Sequence, residues 1–100
     1  MNTGDILLLK KGTSGLGKGD NIGIYLGREK GGKQYIYTLF TLKGRQKVRQ
    51  ENVVRQLTGL KFMSNLKDDA AMRRYLLREV KPELRRREEN RVKLSPEAVL

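Results

Sequence analysis

The stretch Gly12 to Gly19, GTSGLGKG, comes within one residue of a phosphate-binding loop. Gly12, Gly17 and Lys18 satisfy the G-x-x-x-x-G-K pattern, but Gly19 occupies the place of the magnesium-binding Ser or Thr. Such a loop must also open a helix whose N-terminal N–H groups face the phosphates. Here it is followed by Ile22-Gly23-Ile24-Tyr25-Leu26, the two-residue alternation of a strand. The spacing argues against nucleotide hydrolysis and for a long loop with Lys18 at its tip, whose free N–H groups can tighten on a phosphate backbone. Acid–base and nucleophilic chemistry have little to work with. The chain has no histidine and no cysteine, so Ser14, Ser64 and Ser95 lack a base and the usual zinc ligands are missing. The carboxylate pairs Asp68-Asp69 and Glu88-Glu89 sit where helix capping and surface pairing account for them. We expect a non-enzymatic protein with no cofactor, no metal and no small-molecule substrate.

What the chain has in excess is positive charge. It carries 22 Lys and Arg against 11 Asp and Glu, a formal net charge of +11. A small domain needs a magnitude of only about 2 to 8 for solubility, so the surplus points to a polyanionic partner. Up to Leu60 the balance is 11 basic to 4 acidic residues, and beyond it 11 to 7. A membrane surface is the first competitor. Against it, no apolar run approaches the roughly 20 residues of a span, no signal peptide opens the chain, and Asn2 stands where myristoylation needs glycine. The expectation is a soluble, cytoplasmic protein with no membrane partner.

The elements that must position the cations are written in the hydrophobic rhythm. Ile6 to Leu9 is a short apolar strand ending at Lys10 and Lys11. Ile22, Ile24 and Leu26 alternate with Gly23, Tyr25 and Gly27, and the Glu29 to Lys33 stretch supplies a glycine turn. In the next strand Tyr35, Tyr37, Leu39 and Thr41 share one face, while Ile36, Thr38, Phe40 and Leu42 share the other. Lys43-Gly44 turns the chain again, and Arg45 to Arg49 returns with Val48 pointing inward. The result is a β-meander. Arg28, Lys30 and Lys33, then Lys43, Arg45, Lys47 and Arg49, fall at its turns and on its third strand. Tyr25, Tyr35 and Tyr37 are candidates for base stacking, since aromatic rings stack on bases while cations neutralise phosphates. The competing reading makes the same cations edge charges that discourage sheet-to-sheet aggregation.

A Gly4-Asp5 turn precedes the first strand, and a glycine-rich loop then leads to a second Gly-Asp, Gly19-Asp20, before the next. From Gly4-Asp5 through Asn52-Val53 the chain resembles SH3-like small barrels of the KOW and related types found in ribosomal and RNA-processing proteins. The resemblance implies five short antiparallel strands curled into a barrel, with loops at one end that meet RNA. It also implies a 3₁₀ turn before the last strand, which suits Glu51-Asn52, and closure by Val53 or Val54 together with Leu57.

Residues 61–100 read as a basic helical extension. Leu60, Phe62 and Met63 are too apolar for solvent and are expected to cover the barrel or anchor the helix. Ser64 or Asp68 caps a helix in which Met72, Tyr75, Leu76, Leu77 and Val80 form an apolar stripe, with Arg73 and Arg74 among them. Pro82 either restarts a second helix or kinks a continuous one. Beyond it Arg85, Arg86, Arg87, Glu88, Glu89 and Arg91 leave only Leu84 and Val92 to bury. Pairs four apart, such as Arg85 with Glu89, can hold a solvated helix; alternatively, an arginine-rich helix lies in a groove of folded RNA. Leu94 to Ala98 resembles one more helix opening.

The fold expected is mainly β with α: an SH3-like barrel over 1–60 and a helical extension over 61–100, kinked near Pro82. The function expected is RNA binding, as a ribosomal or ribosome-associated component that meets rRNA and neighbouring ribonucleoprotein proteins. Two other readings compete. One is a DNA-coating small barrel. The other is a protein-interaction domain in which the three tyrosines line a groove and the tail helix meets an acidic partner.

Overall fold

The computed structural model of the protein describes residues 1–17 and 21–93, without the side chains of 91–93. Lys18, Gly19-Asp20, the side chains of Arg91 and Val92, and Leu94 to Ala98 lie outside the described residues. Five strands follow one another: β1 (Asp5–Leu9), β2 (Ile22–Gly31), β3 (Gln34–Thr41), β4 (Gly44–Arg49) and β5 (Val53–Lys61). They form one antiparallel sheet in the order β4-β3-β2-β1-β5. A 3₁₀ turn, Gln50–Asn52, carries the chain from β4 across to β5. The five strands, the meander of β2, β3 and β4, and this turn match the sequence expectation. Closure does not, because β4 and β5 are the two edges and no ladder joins them among the described residues.

Glycine and threonine place the turns. Gly32, at φ +72°, reverses the chain between β2 and β3, and Gly44, at φ +93°, does the same between β3 and β4. At the second turn the buried Thr41 hydroxyl accepts from the Lys43 N–H (3.1 Å) and donates to the Gly44 carbonyl (2.9 Å). Gly4 pins the start of β1. Its N–H donates to the Tyr25 carbonyl and its own carbonyl accepts from the Phe62 N–H, both at 2.9 Å. With φ +93°, a Cβ there would stand 2.3 Å from the Phe62 carbonyl oxygen.

The sheet is buried on both faces. On one, Ile6, Ile22, Ile24, Phe40 and Leu57 meet Phe62, Met72, Leu76 and Val80 from the C-terminal segment. On the other, Leu7, Leu9, Tyr25, Tyr37, Leu39 and Val48 form a second cluster, against which Val53 of β5 also packs. All five strands therefore contribute to the second cluster, which requires the sheet to curl. The expected faces of β3 hold, with Tyr37 and Leu39 opposite to Phe40.

The C-terminal segment runs as α1 (Asp69–Tyr75), a π-helical turn (Leu76–Val80) and α2 (Lys81–Lys93). Asp68 is the cap, its carboxylate accepting from the Ala71 N–H at 3.0 Å. Met72, Leu76 and Val80 are fully buried at intervals of four. On a helix of 3.6 residues per turn that interval drifts about 40° per step. The π turn, in which the Lys81 N–H reaches back to the Leu76 carbonyl, widens the winding and keeps the stripe on the sheet. It also ends just before Pro82, and the chain passes Pro82 as one helix. Two apolar expectations are corrected. Leu77 lies off the buried stripe and is 48% exposed, and Met63, just beyond β5, is 86% exposed.

Candidate nucleic-acid interface

The fold divides the candidate cations into those held by partners and those that are not. Arg45 on β4 donates to the Asp69 carboxylate (2.7 Å) and to the Leu66 carbonyl (3.0 Å), tying the sheet to the start of α1. Lys47 pairs with Glu29 across β3 at 2.7 Å. Arg73 donates to the Leu42 carbonyl (2.7 Å) and lies over the Phe40 ring. Arg86 and Arg87 converge on one carboxylate, Glu83, and Arg87 also donates to the Thr58 carbonyl on β5 (2.6 Å). The hydrogen bonds from Arg86 and then Arg87 hold the Glu83 carboxyl below its ordinary range. The pairing expected between Arg85 and Glu89 is not the one that forms; Glu83 is the shared acid, three and four residues before its partners. Arg45, Arg73 and Arg87 tie the C-terminal segment to the sheet, whereas Lys47 and Arg86 each pair with a neighbouring carboxylate.

Lys10, Lys11, Lys30, Lys33, Lys43, Arg49, Arg74 and Arg85 are exposed, and no described ion pair engages them. They fall in four places. Lys10 and Lys11 follow β1, Lys30 and Lys33 lie at the β2–β3 turn, and Arg49 and Lys43 border β4. The fourth group is on the helix. Arg74 and Arg78 precede α2, and Arg85, offset around the axis by the π turn, stands on α2 beside Lys81, which has a partner of its own. Arg73, Arg74 and Arg78 surround Ala70 and the exposed Leu77 in a shallow groove. One turn further on, Lys81, Leu84, Arg85 and Glu88 face Lys11, Asn21 and Ile22 across a cleft of about 190 Å³. Arg78 was missed in the reading of the sequence, although its spacing of four from Arg74 is visible there.

The tyrosines need correction. Tyr25 and Tyr37 are only 6% and 5% exposed and pack edge to face at 5.7 Å inside the second cluster. A ring enclosed in this way has no free face for a base. Tyr35, half-buried at the far end of β3, carries the Arg28 guanidinium over its ring at 4.1 Å. The sheet therefore presents a cation stacked on one aromatic ring, not a row of three aromatics. Among the described residues no group of three or more His, Cys, Asp or Glu side chains is placed to hold a metal ion. No helix among them is long and apolar enough to cross a membrane. No family model, curated protein or solved structure matches the chain.

Proposed function

We propose that the protein is a non-enzymatic RNA-binding component of a ribosome or another ribonucleoprotein, gripping folded RNA through phosphate contacts. The observation that carries this reading is the stripe of exposed arginines along the helix. Arg74, Arg78 and Arg85 span about 16 Å of its length, and Lys11 from the first loop stands across the cleft from Arg85. Phosphate contacts position a protein on nucleic acid without reading sequence. The stripe carries no Asn or Gln of the kind that pairs with base edges, and two of the three tyrosines are enclosed. These features favour shape and backbone recognition, which is how double-stranded and folded RNA is commonly bound. The antiparallel meander with a 3₁₀ turn ahead of β5 supports reading the sheet as a curled, SH3-like small barrel. Lys30, Lys33 and Arg49 then offer a second contact region, suited to bridging two pieces of one RNA or an RNA and a neighbouring protein.

Competition between matched RNA and DNA duplexes tests the polymer. Preference for RNA supports the proposal. Equal or better binding to DNA supports a DNA-coating protein instead.

A further inference from the structure

We propose that the cleft between the first loop and α2 is a seat for a single phosphate group, held from opposite sides by Lys11 and Arg85 and tuned by Glu88. The inference rests on the nucleic-acid reading above and specifies where one phosphate is held. Lys11 and Arg85 come from opposite ends of the chain and line one opening. Both are exposed, and no described ion pair engages either.

Each stands on a fixed support. Below Lys11, the Thr13 hydroxyl and N–H both donate to the Lys10 carbonyl (2.6 and 3.3 Å), and Thr13 is buried. The stem of the loop is closed by the Leu9 N–H donating to the Asn21 carbonyl (2.8 Å) and the Asn21 amide donating to the Leu9 carbonyl (3.2 Å). Arg85 follows Leu84, which packs against the helix-side core. With the backbone fixed on both sides of the opening, only side-chain freedom is lost when the two cations meet an anion. The apolar floor, Ile22 and Leu84, excludes water from one side and strengthens the attraction.

The side chains differ in the way a phosphate exploits. Arg85 presents a planar fork for two oxygens, whereas Lys11 supplies a compact charge. Glu88, one turn beyond Arg85, lines the same cleft. Its carboxylate opposes any incoming anion, so it weakens the seat and restricts it to a group that both cations reach.

The test is a double-mutant cycle on RNA affinity at fixed salt, using a 12-nucleotide hairpin and the full chain. Lys11→Ala and Arg85→Ala should each weaken binding about fivefold. Together they should weaken it about tenfold, not the roughly twenty-fivefold of independent contacts. Glu88→Gln should tighten binding about two- to threefold. Lys67→Ala, which removes one exposed charge from the turn before α1, sets the effect of charge alone. Losses no larger than that control, or losses that multiply independently, overturn the seat. Hairpins with and without a 5′-phosphate identify the source of the group: equal affinity means a phosphate within the strand, and a preference means the terminal one. Should the wild-type chain bind no RNA, the RNA reading fails and pyrophosphate decides the seat alone. Saturable shifts of the Arg85 side-chain N–H that vanish in Lys11→Ala then support it, and no shift overturns it.

Discussion

Three consecutive arginines, Arg85, Arg86 and Arg87, do different work because each points a different way from the same helix. Arg87 bridges Glu83 and the Thr58 carbonyl, joining α2 to β5, whereas Arg85 faces the cleft with no described ion pair. Arg87→Ala should therefore cost about 1 kcal/mol and lower the melting temperature by about 4–8 °C. Arg85→Ala should leave the melt unchanged and weaken RNA binding. Thermal denaturation of the two single variants, followed by RNA titration, separates the roles. Glu83 adds a pH dependence. Its folded pKa lies below the unfolded value, so its contribution is complete above the ordinary carboxylate range and is lost as pH falls through the lowered folded value. Glu83→Gln should flatten that acid limb of the stability profile. None of this was legible in RRREE. Charge alone does not say which arginine meets the sheet, because the helix phase that decides it is reset by the π turn upstream.

At the level of elements, alternation was enough to place the strands and their turns, and the Asp68 cap was one of two candidates read from the sequence. The period also assigned the faces of β3 correctly. It could not say that the face bearing Tyr25 and Tyr37 curls on itself, because a strand buried on both sides and a strand with an aromatic surface share one alternation. Leu77 was misplaced for a related reason: a run of adjacent apolar residues, Leu76-Leu77, leaves the stripe ambiguous by one position until the winding is known. The contrast gives a direct check. Leu76 is fully buried, so Leu76→Ala should cost about 2–5 kcal/mol, while Leu77→Ala should stay within about 0.5 kcal/mol. Urea unfolding of both variants measures this, and equal losses would mean the buried stripe is wrongly placed. Gly4→Ala should also destabilise strongly. A methyl group there meets the Phe62 backbone where β1, β2 and the end of β5 cross, and nothing flexible stands in the way to yield.

For the whole molecule, the question is whether a net charge of +11 is a diffuse field or a shaped grip. Several cations are committed to folding, among them Arg45, Lys47, Arg73 and Arg87. Those left over include Arg74, Arg78 and Arg85 on the helix, Lys30 and Lys33 at the β2–β3 turn, Lys43 and Arg49 at β4, and Lys10 and Lys11 after β1. If about six to eight of them meet phosphates, affinity for duplex RNA should fall with salt at a logarithmic slope of about −5 to −7. The most direct test of the account is that slope measured for the wild-type chain and for Arg74→Ala/Arg78→Ala/Arg85→Ala, with folding checked by thermal melt. The account predicts an unchanged melt, weaker binding and a slope shallower by about 2 to 3. An unchanged slope, or a wild-type affinity that does not respond to salt, would contradict it.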